Sequence, residues 1–212
     1  MKFDKKDLLL YAVTDRSWLG DQTLYQQAEA CLKGGATFLQ LREKELDTAG
    51  FKEEALAMKE LCKRYRVPFV LDDNVKLAVE TGADGVHVGQ SDMEAGEVRS
   101  LLGPDKILGV SAQTVEEAIL AEKQGADYLG VGAVFSTSTK LDADNVSAET
   151  LREICRAVRI PVIAIGGITK ENLPSLSGSG IVGVAIVSAI FASPDITKAT
   201  SELRAIAEKT LL

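Results

Sequence analysis

Histidine is almost missing from this chain: among 212 residues His87 is the only one. Cysteine is scarce as well, and Cys31, Cys62 and Cys155 lie far apart, odd in number and inside helical patterns. They offer neither a metal-ligand spacing nor a disulfide framework, so they read as buried thiols in a reducing compartment. No run of Lys and Arg builds a long basic face, and the net charge is −7. Phosphate backbones select broad positive surfaces, so nucleic acid is not an expected partner. Long apolar stretches are lacking too. The longest, residues 181–190, is short and interrupted by Gly and Ser, which excludes a membrane span. No signal peptide fits the polar opening Met1-Lys2-Phe3-Asp4-Lys5-Lys6-Asp7, and a cytoplasmic protein without membrane contact is expected. The length suits one sizeable core, so residues 1–212 read as a single domain.

What is present is regular. Short apolar runs alternate with amphipathic segments from end to end. Strands are expected at residues 8–13, 38–44, 68–71, 85–88, 107–110, 128–131, 161–165 and 181–187. Between them lie helical patterns. Leu24, Ala28, Cys31 and Leu32 share one face, and Phe51, Ala55, Met58 and Cys62 share another behind Asp47, an N-cap. Thr114 and Glu117 have the spacing of a capping box, and Ser147 caps a later helix. A weak repeat runs through the chain: Gly34-Gly35-Ala36, Gly82-Ala83-Asp84 and Gly125-Ala126-Asp127 each close a helix and open an even-numbered strand. Gly178-Ser179-Gly180 stands in the matching place before the eighth. Strands buried on both faces, each followed by a helix, are what a closed parallel sheet produces. Four such double units give the strand count of an α/β fold of the (β/α)8 TIM-barrel type. An open doubly wound sheet is the alternative, and the evenness of the repeat argues against it.

In a barrel of this kind chemistry gathers at the C-terminal ends of the strands. The most telling stretch is Gln-Leu-Arg-Glu-Lys at 40–44. Alternation sends Gln40, Arg42 and Lys44 to one face and Leu39, Leu41 and Glu43 to the other. A buried strand concentrates positive charge where something anionic meets it, so this reads as one wall of a site for a phosphorylated ligand. Asp72, Asp73, Gln90, Asp92, Ser111 and Gln113 collect at the following strand ends, with Thr137, Thr139 and Lys140 in a polar loop beyond. Asp73 and Asp92 are hard oxygen ligands and as a pair favour Mg²⁺; singly, each reads as a cap or a local ion pair. Gly166-Gly167 lets backbone N–H groups approach an anion, and Val187-Ser188 opens a helix whose N-terminus favours negative charge. His87 reads as a packed, hydrogen-bonded ring and Tyr11 and Trp18 as packing.

Taken in order, these pieces resemble the thiamine phosphate synthases along nearly the whole chain. They are Tyr-Ala-Val-Thr-Asp at 11–15, Gln-Leu-Arg-Glu-Lys at 40–44, Gly-Ala-Asp-Gly-Val-His-Val-Gly-Gln-Ser-Asp at 82–92 and Gly-Val-Ser at 109–111. Thr-Ser-Thr-Lys at 137–140, Ala-Ile-Gly-Gly-Ile at 164–168 and Val-Ser-Ala-Ile at 187–190 complete the series. The resemblance implies a transferase that joins a hydroxymethylpyrimidine diphosphate to a thiazole phosphate and releases pyrophosphate. It implies that Gln40, Leu41, Arg42, Glu43, Lys44, Asp72, Ser111 and Lys140 hold the pyrimidine diphosphate. Asp73 and Asp92 would bind Mg²⁺, and Thr137, Ser138, Thr139, Gly167, Val187 and Ser188 would hold the thiazole phosphate. Arg42, Lys44, Lys140 and Ser111 are then the catalytic candidates. Two departures stand out: Asp72 where the family often has Asn, and Ala133 where Pro is commoner. The partners implied are small molecules, and nothing in the sequence indicates a homo-oligomer. Three rivals remain at this point: a thiazole tautomerase on the same barrel, a Schiff-base aldolase, and a ligand-sensing barrel without catalysis. The tautomerase would have no use for the diphosphate clamp, and the aldolase lacks a desolvated strand lysine.

Overall fold

The computed structural model describes residues 3–90, 92–136 and 145–212. Eight parallel strands close into a barrel in sequence order: β1 (Leu10–Val13), β2 (Phe38–Leu41), β3 (Phe69–Asp72), β4 (Gly85–Val88), β5 (Ile107–Ala112), β6 (Tyr128–Val131), β7 (Val162–Ile165) and β8 (Gly183–Ile186). β8 pairs back onto β1. Around them lie α1 (Leu24–Lys33), α2 (Thr48–Tyr65), α3 (Val75–Thr81), α4 (Ala95–Leu102), α5 (Val115–Lys123), α6 (Ala148–Ala157), α7 (Ser188–Phe191) and α8 (Ile196–Leu211). Closure leaves no unpaired strand edge, which satisfies the backbone of every strand within the sheet. No helix among the described residues is long and apolar enough to cross a membrane.

Alternation along each strand separates two cores. Leu39, Leu41, Phe69, Leu71, Val86, Val88, Leu108 and Val110 face the helices and join the outer cluster. Leu8, Tyr11, Val13, Phe38, Val70, Ile107, Tyr128, Ile163 and Ala185 fill the barrel itself. Both faces are apolar, which is why the sequence shows runs and no polar–apolar rhythm. At the N-terminal end Phe3 sets its ring edge-on against Phe38 and Tyr128, with centroids 6.1 and 6.0 Å away.

The glycine repeat has a physical job at both ends. Gly35, Gly82 and Gly125 turn with φ of 97°, 64° and 93°, the left-handed region open to glycine. Two residues on, a side-chain oxygen accepts the backbone N–H at the start of the previous strand: Thr37 from Leu10, Asp84 from Phe69 and Asp127 from Leu108. Each unit thus stitches an even strand to the odd one before it.

Strand bounds differ from the sequence reading by one to three residues at every strand but the fourth and sixth, and two of the shifts have a local cause. Residues Lys5–Leu8 form a 3-10 turn, closed by a reciprocal Asp4–Asp7 capping box, so the first strand starts at Leu10. The second strand ends at Leu41 and does not run to Lys44, because the Arg42 N–H leaves the ladder for Thr14 Oγ1 at 3.0 Å.

Candidate active site

The C-terminal ends of β1, β2 and β3 converge on one polar cluster. Gln40 and Asp72 point into the barrel, and the Gln40 amide donates to Asp72 Oδ1 at 2.6 Å. Arg42 donates from Nη1 to Asp15 Oδ2 at 2.7 Å, and its Nε lies 3.9 Å from Asp72 Oδ2. Thr14, fully buried, accepts the Arg42 N–H. A guanidinium held by two carboxylates has little rotational freedom left, so Arg42 is fixed in one orientation. Asp72 supplies a negative charge that an Asn would lack, and Arg42 sits where it balances that charge.

The remaining members of 40–44 part company. The Leu41 side chain packs outward into the outer cluster, buried completely, so it offers a ligand only its main chain. The Glu43 carboxylate also turns away. Burial pushes its pKa up, but the N–H groups of Glu45 and Leu46 and the Arg16 guanidinium overcome that and hold it below the usual range. Arg16 bridges Glu43 to Glu54 on α2. Lys44 is exposed and forms no ion pair among the described residues, yet its charge reaches Asp73.

Asp73 and Asp92 come together after β3 and β4. Asp73 takes φ 57°, a left-handed conformation unusual for any residue with a side chain, pinned by its N–H to His87 O at 2.8 Å. Burial, the charge of Asp72 and a side-chain hydrogen bond with Asp92 push its carboxyl up to about 7, with Lys44 opposing. Asp92 meanwhile accepts the Gly89 N–H at 2.7 Å. Two carboxylates in hydrogen-bond contact need a shared proton or a cation between them. Among the described residues no group of three or more His, Cys, Asp or Glu gathers as metal ligands. A cation here would therefore draw on two carboxylates and take its other oxygens from elsewhere.

On the facing strands His87 bonds through Nε2 to Ser111 Oγ at 3.0 Å and through Nδ1 to Tyr128 Oη at 3.0 Å. Gln90 Nε2 donates to the Ser111 carbonyl at 2.5 Å, fixing the end of β5. At the far side Gly166 and Gly167 have φ of 100° and 62°. A side chain on Gly167 would strike Ser136 O at 2.4 Å, so the pair is needed for close packing of the preceding loop as well as for a turn. Val187 precedes Ser188, the first residue of the four-residue α7. The expected ligand contacts of Thr137, Ser138, Thr139 and Lys140 lie outside the described residues.

A family model described as thiamine monophosphate synthase matches residues 10–190. The chain belongs to the thiamine monophosphate synthase family. It is 50% identical over 199 residues to the thiamine-phosphate synthase of Ruminiclostridium cellulolyticum, spanning 94% of this chain and 95% of that one. A solved thiamine phosphate pyrophosphorylase from Pyrococcus furiosus superposes with a TM-score of 0.91 at 39% identity, covering 98% and 99% of the two chains. At 18% identity and a TM-score of 0.64, an N-acetylmannosamine-6-phosphate 2-epimerase from Clostridium perfringens shares the fold alone, over 89% of this chain and 91% of that one. The same barrel serves an epimerase elsewhere, so chemistry is set by the residues at its mouth and not by the fold.

Sequence reasoning left Thr14 and Asp15 without a role, although both stand in the motif at 11–15. Their signal was the burial of a polar pair at a strand end: Thr14 is 0% and Asp15 7% exposed. His87 is the packed, hydrogen-bonded ring expected of it, and Tyr11, expected only to pack, also bonds to Tyr128 at 2.8 Å.

Proposed function

We propose that this chain is a thiamine-phosphate synthase: it joins the methylene of a hydroxymethylpyrimidine diphosphate to the ring nitrogen of a thiazole phosphate and releases pyrophosphate. The observation that carries the reading is the adjacency of two opposite devices at one rim. Arg42, oriented by Asp15 and Asp72, is linked through Asp72 to the next residue, Asp73, whose carboxyl bonds with that of Asp92 in an arrangement that suits a shared cation. Asp73 and Asp92 would hold Mg²⁺, whose charge would neutralise the diphosphate oxygens as they depart. The pair suits that ion, since Mg²⁺ takes one or two carboxylates and completes its shell with phosphate and water oxygens.

The chain's own residues divide the remaining work. Gln40 and Asp72 offer hydrogen-bonding groups for the pyrimidine, and Ser111 faces them from β5. Arg42, Lys44 and Lys140 stabilise the negative charge that develops on the leaving oxygen. As the C–O bond stretches, the methylene acquires carbocation-like character, which the electron-rich aminopyrimidine spreads into its ring. Thr137, Ser138, Thr139, Gly167, Val187 and Ser188 hold the thiazole phosphate so that its nitrogen meets that carbon before water does. The nitrogen carries no proton to lose, so bond formation needs no general base. A site with one histidine suffices.

Incubation with the two substrates and Mg²⁺ should release pyrophosphate in step with thiamine phosphate, and a chelator should stop both. Asp73→Ala should lower turnover at least about a hundredfold with the fold intact by circular dichroism. Pyrophosphate release that ignores the chelator, or an Asp73→Ala variant at wild-type rate, contradicts the cation's place in this scheme.

A further inference from the structure

Inside the barrel runs a line of hydrogen bonds that the proposed chemistry does not use. It starts at Tyr11 on β1, crosses to Tyr128 on β6 at 2.8 Å, continues to His87 Nδ1 on β4 at 3.0 Å, and leaves Nε2 for Ser111 Oγ on β5 at 3.0 Å. Its final step has the look of a nucleophile and its base, a serine hydroxyl within reach of an imidazole nitrogen. The direction of the protons decides whether it is one.

That direction is set at the buried end. Tyr11 is 1% and Tyr128 0% exposed. Burial, then the neighbouring phenol and the charge of Asp72, hold Tyr11 well above its ordinary pKa, and burial raises Tyr128 too, so both keep their protons. Tyr128 is the sole hydrogen-bond partner of the Tyr11 hydroxyl among the described residues. If Tyr128 donated to Tyr11, the Tyr11 proton would have no acceptor, and a buried orphaned donor is costlier than an acceptor with a spare lone pair. Tyr11 therefore donates to Tyr128. The Tyr128 proton then goes to His87 Nδ1, which must be the bare nitrogen, and Nε2 carries the proton that it donates to Ser111 Oγ. With Oγ already accepting, the Ser111 proton is left to point away from His87.

The sheet leaves room for this line. A Cβ on Gly109 would lie 2.3 Å from Tyr128 Oη and 2.5 Å from His87 Nδ1, and one on Gly130 would lie 3.1 Å from His87 Cε1. Two neighbouring strands thus present bare backbone where the imidazole and the phenol meet.

We propose that Tyr11, Tyr128 and His87 are positioning residues that fix Ser111 as a hydrogen-bond donor to an acceptor atom of the bound ligand, and that His87 never serves as its base. On the synthase reading, on which the kinetic part of this inference rests, that acceptor belongs to the pyrimidine diphosphate. The arrangement adds no covalent step: it sets which way one hydroxyl faces before the substrate arrives.

Because His87 is the chain's single histidine, the ring nitrogens of untagged, nitrogen-15-labelled protein report on it alone. The expected spectrum near neutral pH has a protonated, pyrrole-type Nε2 and an unprotonated, pyridine-type Nδ1. The opposite tautomer overturns the proposal without recourse to any variant or activity. Tyr128→Phe should mix the two tautomers and lower kcat for pyrophosphate release about tenfold, the worth of one hydrogen bond to a charged group. In a Ser111→Ala background the same substitution should change kcat by less than about twofold, because the hydroxyl it orients is gone. An equal loss in both backgrounds would mark Tyr128 as packing only and defeat the kinetic claim. A protein that releases no pyrophosphate at all would sink the synthase reading while the nitrogen spectrum still decides the direction of the relay.

Discussion

Asp73 concentrates the electrostatic tension of the site in one side chain. With its carboxyl at about 7 in the folded chain and near the ordinary aspartate value of about 4 when unfolded, the folded state binds the proton more tightly. Its contribution to stability is therefore complete below about pH 4 and lost as pH rises through about 7. The metal-free protein should fall in melting temperature between about pH 5.5 and pH 8 more steeply than Asp73→Asn, which has no proton to lose. Mg²⁺ should reverse that fall in the wild type and do little for Asp73→Asn. Parallel melting curves for the two proteins across this range would show that Asp73 does not feel its neighbours as described.

Among the elements, α5 shows how a local motif holds a barrel unit in place. Thr114 Oγ1 accepts the Glu117 N–H at 3.2 Å, while Glu117 Oε2 accepts the N–H groups of Gln113 and Thr114 at 2.7 and 3.3 Å. Thr114→Ala should cost about 1 kcal/mol in urea denaturation and leave kcat unchanged, since the cap lies on the outer ring. A loss of activity with stability intact would place this turn in the site. The cap was legible in the sequence because its residues are three apart, and so were the eight strands, each an apolar run between helical patterns. The outward Leu39 and Leu41 followed from alternation alone. What could not be read is what depends on distant partners. Arg42 leaves the strand because Thr14 and Asp15, 28 and 27 residues earlier, offer better acceptors. Tyr11 and Tyr128 meet across 117 positions, a pairing that only closure of the barrel creates. The first strand is shorter than the sequence suggests because Leu8 and Leu9 are as apolar as Leu10, and the Asp4–Asp7 box that winds them into a turn reads as surface charge.

At the scale of the whole molecule the three thiols report on cooperativity. Burial raises Cys31 to about 12 and Cys155 to about 11, and Cys62 higher still. Cys31 and Cys62 are closed off on α1 and α2, whereas Cys155 on α6 is half-buried. A thiol reagent should modify Cys155 first and reach the other two only as fast as the barrel unfolds, a rate that urea should accelerate. Rapid modification of Cys62 in the absence of denaturant would mean that α2 opens on its own.

The aromatic floor also governs traffic. Phe3, Phe38, Tyr11 and Tyr128 pack edge-on and tilted against one another across the axis, and the aliphatic side chains around them fill what is left. The barrel is a cul-de-sac. On the synthase reading, both substrates enter and both products leave through its one doorway.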